Sequence, residues 1–193
     1  TVSGLKLDRP WLILHAGVSE AKRRYPFDLW VRTGEKVVHE LNAQILLTGS
    51  ASEKRFTDQL QQEIGEDCYS IAGLFDVEEF ICLVQHSPLI VSVNTGTTHI
   101  AAAVATPVVV LYAQTNPQHT PWKVPCKVLQ FPVREEVRSK NEVIQYVNRK
   151  LYEQTIDMPQ PDDVILAIKG LLNPVGSQGQ QFHEILQQSQ EIE

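Results

Sequence analysis

The chain has 193 residues, 42% of them hydrophobic and 21% charged, with a formal net charge of −6. That is enough length for one domain with a real core, at a composition ordinary for soluble globular proteins. The acidic balance argues against nucleic acid as a partner, and no apolar run approaches the roughly 20 residues of a spanning helix.

In chain order, Trp11 to His15 reads as a strand ending at Gly17. Pro26 opens a helix to Asn42, with Leu29, Trp30, Val37, Val38 and Leu41 on one face. Gln44 to Thr48 is the next strand, closed by Gly49. A polar helix starts at Ser52–Glu53 and ends at Gly65, with Phe56, Leu60 and Ile64 at helical spacing. Cys68 to Ala72 reads as a short strand. Val77 to His86 reads as a helix that Pro88 breaks, with Val77, Phe80, Ile81 and Val84 facing inward. Leu89–Val93 and Val108–Tyr112 are continuous apolar runs of the kind buried parallel strands show, and Lys127 to Phe131 is a sixth candidate. Helices follow at Asn141–Tyr152 and Pro161–Leu172. Strand and helix alternate with short connections, which predicts an α/β fold: a Rossmann-like parallel sheet with helices on both faces.

Pro174 to Gly179 breaks the pattern, and a glutamine-rich tail follows in which Phe182, Ile185, Leu186 and Ile192 fall near one helical face. The tail reads either as an amphipathic helix docking outside the main domain or as a frayed terminus. No secretory leader pattern opens the chain. Thr1 in place of an initiator Met predicts truncation at the N-terminus. Cys68, Cys82 and Cys126 form no CxxC pair, so they are expected as reduced thiols in a cytosolic protein. The six histidines show no metal-binding spacing, and no metal is expected.

Ligands of parallel α/β sheets bind outside the carboxyl ends of the strands. The polar clusters fall there: His15 to Arg24, Thr48 to Glu53, Asn94 to His99, and Ala113 to Pro117. Their chemistry suits an anion. Gly96 admits close approach or a positive φ. A helix beginning near Thr97 turns its free N–H groups and positive dipole end to the cleft. Lys22-Arg23-Arg24 is the only run of three basic residues in the chain. Each feature also has a purely structural reading. Thr97 or Thr98 could be an N-cap, the basic triplet a solvated face, His15 and His99 satisfied structural histidines, and Glu53 a first-turn dipole residue. The dinucleotide fingerprint, the P-loop and the GxSxG elbow are all absent from the sequence.

Three segments, "HAGVSEAKRRYP", "ILLTGSASE" and "SVNTGTTHIAAAVATPVVVLYAQTNPQHTPW", resemble the C-terminal half of bacterial ADP-heptose:lipopolysaccharide heptosyltransferases. These are glycosyltransferase family 9, with a two-domain GT-B architecture. The likeness runs from Trp11 to Trp122, with an echo in "MPQPDDVILAIKGLL". It implies a nucleotide-sugar-binding domain over residues 1–173, a linker and C-terminal helix over 174–193, and an N-terminal acceptor domain absent from this chain. It also implies that Ser19, Lys22 and Arg23 meet the donor's diphosphate, with Arg24 an alternative. Thr95, Gly96, Thr97 and His99 then meet the phosphates and sugar, and Glu53 the ribose. Asn94 stands where the family usually has a sugar-facing Asp, and "AQTNP" stands where it has "GPTDP".

The function the resemblance implies is inverting transfer of a sugar, heptose from ADP-heptose, to a lipopolysaccharide core or lipid-linked acceptor. The catalytic base would lie in the absent N-terminal domain. The donor is a substrate, and no further cofactor is implied. The other partners would be the acceptor and the chain's own N-terminal domain, in the cytoplasm or peripheral at the inner membrane. Two alternatives stay open: a non-catalytic nucleotide-sugar-binding module, for which Asn94 and "AQTNP" speak, and an epimerase-like GT-B protein. The second needs cleft-facing carboxylates, and these loops offer only Glu20 and Glu53.

Overall fold

The structure is a computed structural model that describes residues 4–6, 8–18, 20–114, 120–133, 141–151 and 156–173. Ser19, the loop 115–119 and the tail 174–193, on which several expectations fall, lie outside the described residues.

Six strands form one sheet: β1 (Trp11–His15), β2 (Gln44–Thr48), β3 (Cys68–Ser70), β4 (Ile90–Val93), β5 (Val108–Ala113) and β6 (Cys126–Phe131). All pair in parallel, in the order β3-β2-β1-β4-β5-β6. The chain winds outward from β1 to β3, then returns to the other side of β1 with β4. The strand order therefore reverses between β1 and β4, the place where such sheets open a crevice.

Among the described residues there are six helices: α1 (Phe27–Leu41), α2 (Lys54–Ile64), α3 (Val77–His86), α4 (Gly96–Ala103), α5 (Glu142–Leu151) and α6 (Pro161–Leu172). All but α5 supply side chains to the cores on the sheet, whereas Val143 and Tyr146 of α5 are exposed. Side chains alternate across each strand, so each strand feeds two cores. Leu12, Leu14, Ile45, Leu47, Val91 and Val109 pack against α1, α2 and α6. Ile13, Leu46, Ile90, Val108 and Val110 pack against α3 and α4. On the first face α1 and α2 meet closely: a Cβ at Gly34 would lie 2.8 Å from Ile64 Cγ1. Tyr25 Oη donates to the Pro159 carbonyl at 2.6 Å and its ring meets Trp30 edge-on, which seats the approach to α6 on the start of α1.

Local signals explain the helix ends. Asp76 caps α3 by accepting from Glu79 N at 2.9 Å, and Glu79 accepts from Asp76 N at 3.0 Å. Asn42, with φ 51, ends α1 in the left-handed conformation common there. Pro161 opens α6 at its first helical position.

Three expectations are corrected. Val77 is 69% exposed, because the first residue of α3 lies past the sheet edge; only Val84 of the expected stripe is fully buried. β3 ends at Ser70, two residues early. There the chain turns at Gly73 (φ 74), whose N–H still donates to the Gly49 carbonyl at 3.0 Å. The turn Ala51–Glu53 is a 3-10 turn and α2 proper begins at Lys54, since Ser50 and Glu53 cap that tighter turn.

Candidate functional site

Parallel registry places the exits of β1, β2 and β4 level. His15 pairs with Thr48 on one side and Ser92 on the other, and Val93 pairs with Leu111. Side chains then tie the four polar loops into one rim.

The β1 and β2 exits meet at Gly17 and Glu53. Glu53 Oε2 accepts from Ser50 N at 2.7 Å and Ser50 Oγ at 2.8 Å, and the carboxylate lies over Gly17. A Cβ at position 17 would strike the Glu53 carboxyl carbon and lie 2.6 Å from Oε2. The Glu53 carboxylate thus occupies the space that a side chain at position 17 would take. His15 Nδ1 sits 2.9 Å from Thr48 Oγ1, and the ring packs on Phe80. Burial pushes its imidazole down to about 4, against the opposing pull of the Glu53 carboxylate, so His15 is neutral at neutral pH.

Beyond β1 the chain makes a 3-10 turn (Ala21–Arg23) that packs against β5. It carries the basic residues. Lys22 Nζ lies 2.6 Å from Glu20 Oε2, and Arg23 Nη2 lies 2.7 Å from Glu20 Oε1. Arg23 Nη1 crosses the switch point and donates to the Asn94 carbonyl at 3.2 Å. Arg23 Nε is buried with no hydrogen-bond acceptor among the described residues. Arg24, the third of the triplet, is exposed.

At the β4 exit, Asn94 is fully buried. Its Oδ1 accepts from Ala113 N at 3.1 Å and its Nδ2 donates to Ala113 O at 3.4 Å. The side chain thus continues the β4–β5 ladder by one rung. Thr95 is the N-cap of α4, yet its side chain makes no capping bond. Thr98 Oγ1 donates to the Thr95 carbonyl at 2.8 Å, and Thr97 is buried. Gly96 is exposed, with no atom within 4 Å of where a Cβ would stand and no positive φ. Of the two readings of Gly96, close approach or a positive φ, the structure shows the first: open access on ordinary backbone. The first N–H groups of α4 accordingly face the rim without a side-chain cap, beside the exposed His99.

The rim can therefore offer backbone N–H donors, a helix dipole and two cations to an anion lying across the β1–β4 crevice. An apolar hollow of about 180 Å³, lined by Trp11, Leu41, Leu89 and Leu172, lies at the opposite, amino edge of the strands and has no part in this chemistry. Among the described residues, no three His, Cys, Asp or Glu side chains converge as a metal site, and no helix is long and apolar enough to cross a membrane.

A family model for glycosyltransferase family 9 (heptosyltransferase) matches residues 1–151. The chain belongs to glycosyltransferase family 9. Among curated family members it is similar to lipooligosaccharide heptosyltransferase 2 of Haemophilus influenzae, 31% identical over 103 residues that span 51% of this chain and 30% of that protein. Its fold is that of the family's solved structures. A glycosyltransferase family 9 protein from Veillonella parvula superposes with TM-score 0.70 at 16% identity, covering 88% of this chain and 47% of that one. The E. coli ADP-heptose LPS heptosyltransferase II superposes with TM-score 0.69 at 22% identity, covering 88% and 48%. The chain thus spans about half the length of these family 9 structures.

Within this family 9 domain, three site elements escape motif reading. Gly17 seats Glu53, Ala113 holds Asn94, and Glu20 pairs with both basic residues. Only the last left a signal, since a carboxylate two and three residues before Lys22 and Arg23 in a short turn is within reach of both.

Proposed function

We propose that this chain is the donor-binding half of a metal-independent, inverting glycosyltransferase. The complete enzyme transfers heptose from an ADP-linked donor to a lipopolysaccharide core acceptor. The observation that carries the reading is the uncapped start of α4 beside Arg23, on a chain that belongs to family 9. The name of the E. coli neighbour, an ADP-heptose heptosyltransferase, supports the adenine nucleotide and the sugar.

In this reading the diphosphate lies across the switch point. Lys22, Arg23 and the N–H groups of Gly96 and Thr97 neutralise it, with Thr95 and His99 beside them and Ser19 on the β1 loop. Glu53, at the edge of the rim, meets the ribose. The acceptor hydroxyl attacks the sugar's anomeric carbon opposite the phosphate. A C–O bond to the acceptor forms, the C–O bond to the diphosphate breaks, and the hydroxyl proton passes to a base on the other half of the enzyme. Negative charge grows on the departing diphosphate oxygen, where fixed donors and a helix N-terminus are most effective. Asn94 serves this site by fixing the β4 and β5 exits and by presenting its carbonyl to Arg23.

Both rim carboxylates already have partners, Glu20 with two cations and Glu53 with Ser50, which counts against an epimerase-like use of them. The reaction and its cytoplasmic face at the inner membrane belong to the whole enzyme. For this chain the test is calorimetric titration with ADP, UDP and GDP. Binding that favours ADP and weakens in Lys22→Ala and Arg23→Ala is expected; no binding by any of the three refutes the reading.

A further inference from the structure

We infer that Glu20 is an intramolecular counter-anion that competes with the donor's diphosphate for Lys22 and Arg23. The inference rests on the donor-site reading above. One carboxylate spans both cations, with one oxygen on Lys22 at 2.6 Å and the other on Arg23 at 2.7 Å. It thus takes the two charges that an anion on this rim would use.

The two partners differ in how firmly they are held. The Arg23 side chain is only 15% exposed and anchored to the Asn94 carbonyl, whereas that of Glu20 is 42% exposed. Glu20 stands before the 3-10 turn on extended backbone, and its side chain makes no capping bond there. The turn keeps its own backbone bonds, Arg23 N to the Glu20 carbonyl at 3.0 Å and Arg24 N to the Ala21 carbonyl at 3.2 Å. Opening the two ion pairs therefore breaks none of the turn's own backbone bonds, and Arg23 keeps its bond to the Asn94 carbonyl. An arriving phosphate displaces Glu20, and Glu20 returns as the phosphate leaves. Sugar transfer leaves a nucleoside diphosphate more negative than the sugar ester that entered. Donor and product each break the same two ion pairs on arrival, so the carboxylate weakens the hold on both.

The test is titration of this chain and its Glu20→Gln variant with ADP and with adenosine, at low and high ionic strength, with thermal melting alongside. Exposed ion pairs of this kind are weak, so Glu20→Gln is expected to tighten ADP about fivefold. The gain shrinks in high salt, leaves adenosine unchanged, and is smaller when Lys22→Gln is added, since the pair with Arg23 remains. Equal tightening of adenosine, or an ADP affinity that is unchanged or weaker in Glu20→Gln at the same melting temperature, overturns the inference and leaves the donor site standing. Failure of both proteins to bind ADP removes the donor site itself, and the inference with it.

Discussion

His15 carries a pH dependence that the fold alone sets. Its imidazole is pushed from an ordinary value of 6.5 to about 4. The unfolded chain takes up a proton near pH 6.5 and the folded chain only near 4, so folding grows less favourable as acid is added between those values. The contribution is fully present above about pH 6.5, falls as pH drops, and levels off below about 4. Each unit of difference is worth about 1.4 kcal/mol, so the whole effect is on the order of 3 kcal/mol, most of it lost by pH 4.5. Urea unfolding of wild type and His15→Gln at a series of pH values measures it. Glutamine cannot titrate, so the variant's stability should fall less between pH 7 and pH 4.5, by about that amount. Glu53→Gln removes the carboxylate that resists the shift, so in that variant the His15 resonance should titrate at still lower pH by NMR. A wild-type His15 titrating near its ordinary value would refute the reasoning, as would parallel stability profiles for wild type and His15→Gln.

Three further outcomes follow from the rim and the caps. Gly17→Ala pushes the Glu53 carboxylate off its seat and away from Ser50; denaturant melts should show a loss of about 1 kcal/mol, the worth of that cap. Asn94→Asp keeps the acceptor for Ala113 N–H but loses the donor to Ala113 O and buries a charge. It should cost about 2–3 kcal/mol near neutral pH. Because burial raises that carboxyl's pKa, the cost should shrink in acid relative to wild type; a neutral or stabilising effect would show that the side chain does not depend on Ala113. Asp76→Ala removes the side-chain cap of α3, where Asp76 accepts from Glu79 N, and should cost about 1 kcal/mol in denaturant melts.

The sheet was readable because its strands are almost wholly apolar and its helices end on recognisable residues. β2 and α6 appear at their expected bounds for this reason. Val77 misled because periodicity says which residues share a face but not where the sheet beneath them stops. The placement of polar loops on one edge follows from parallel pairing alone, which any sequence with this alternation reveals. What lay beyond reading were contacts between loops far apart in sequence. Asn94 stands in the sequence where the resemblance has a sugar-facing Asp, and nothing there says that Ala113, nineteen residues on, bonds both ends of its amide. What Gly17 meets cannot be read from its neighbours, since the carboxylate over it comes from the turn after β2. The sequence left two reasons for Gly96, close approach or a positive φ, and only the space around it decides for the first.

The bond from Arg23 to the Asn94 carbonyl has a mechanical consequence. It crosses the line where the sheet divides into its two windings, one built outward from β1 and the other from β4. A load applied to the basic turn is passed to the start of α4 through one guanidinium and, through the Asn94 amide, on to β5. The two halves of the domain are clasped at the mouth as well as along the strands. A ligand pulling on either lip draws the other with it, so the rim answers as one rigid frame and not as independent loops.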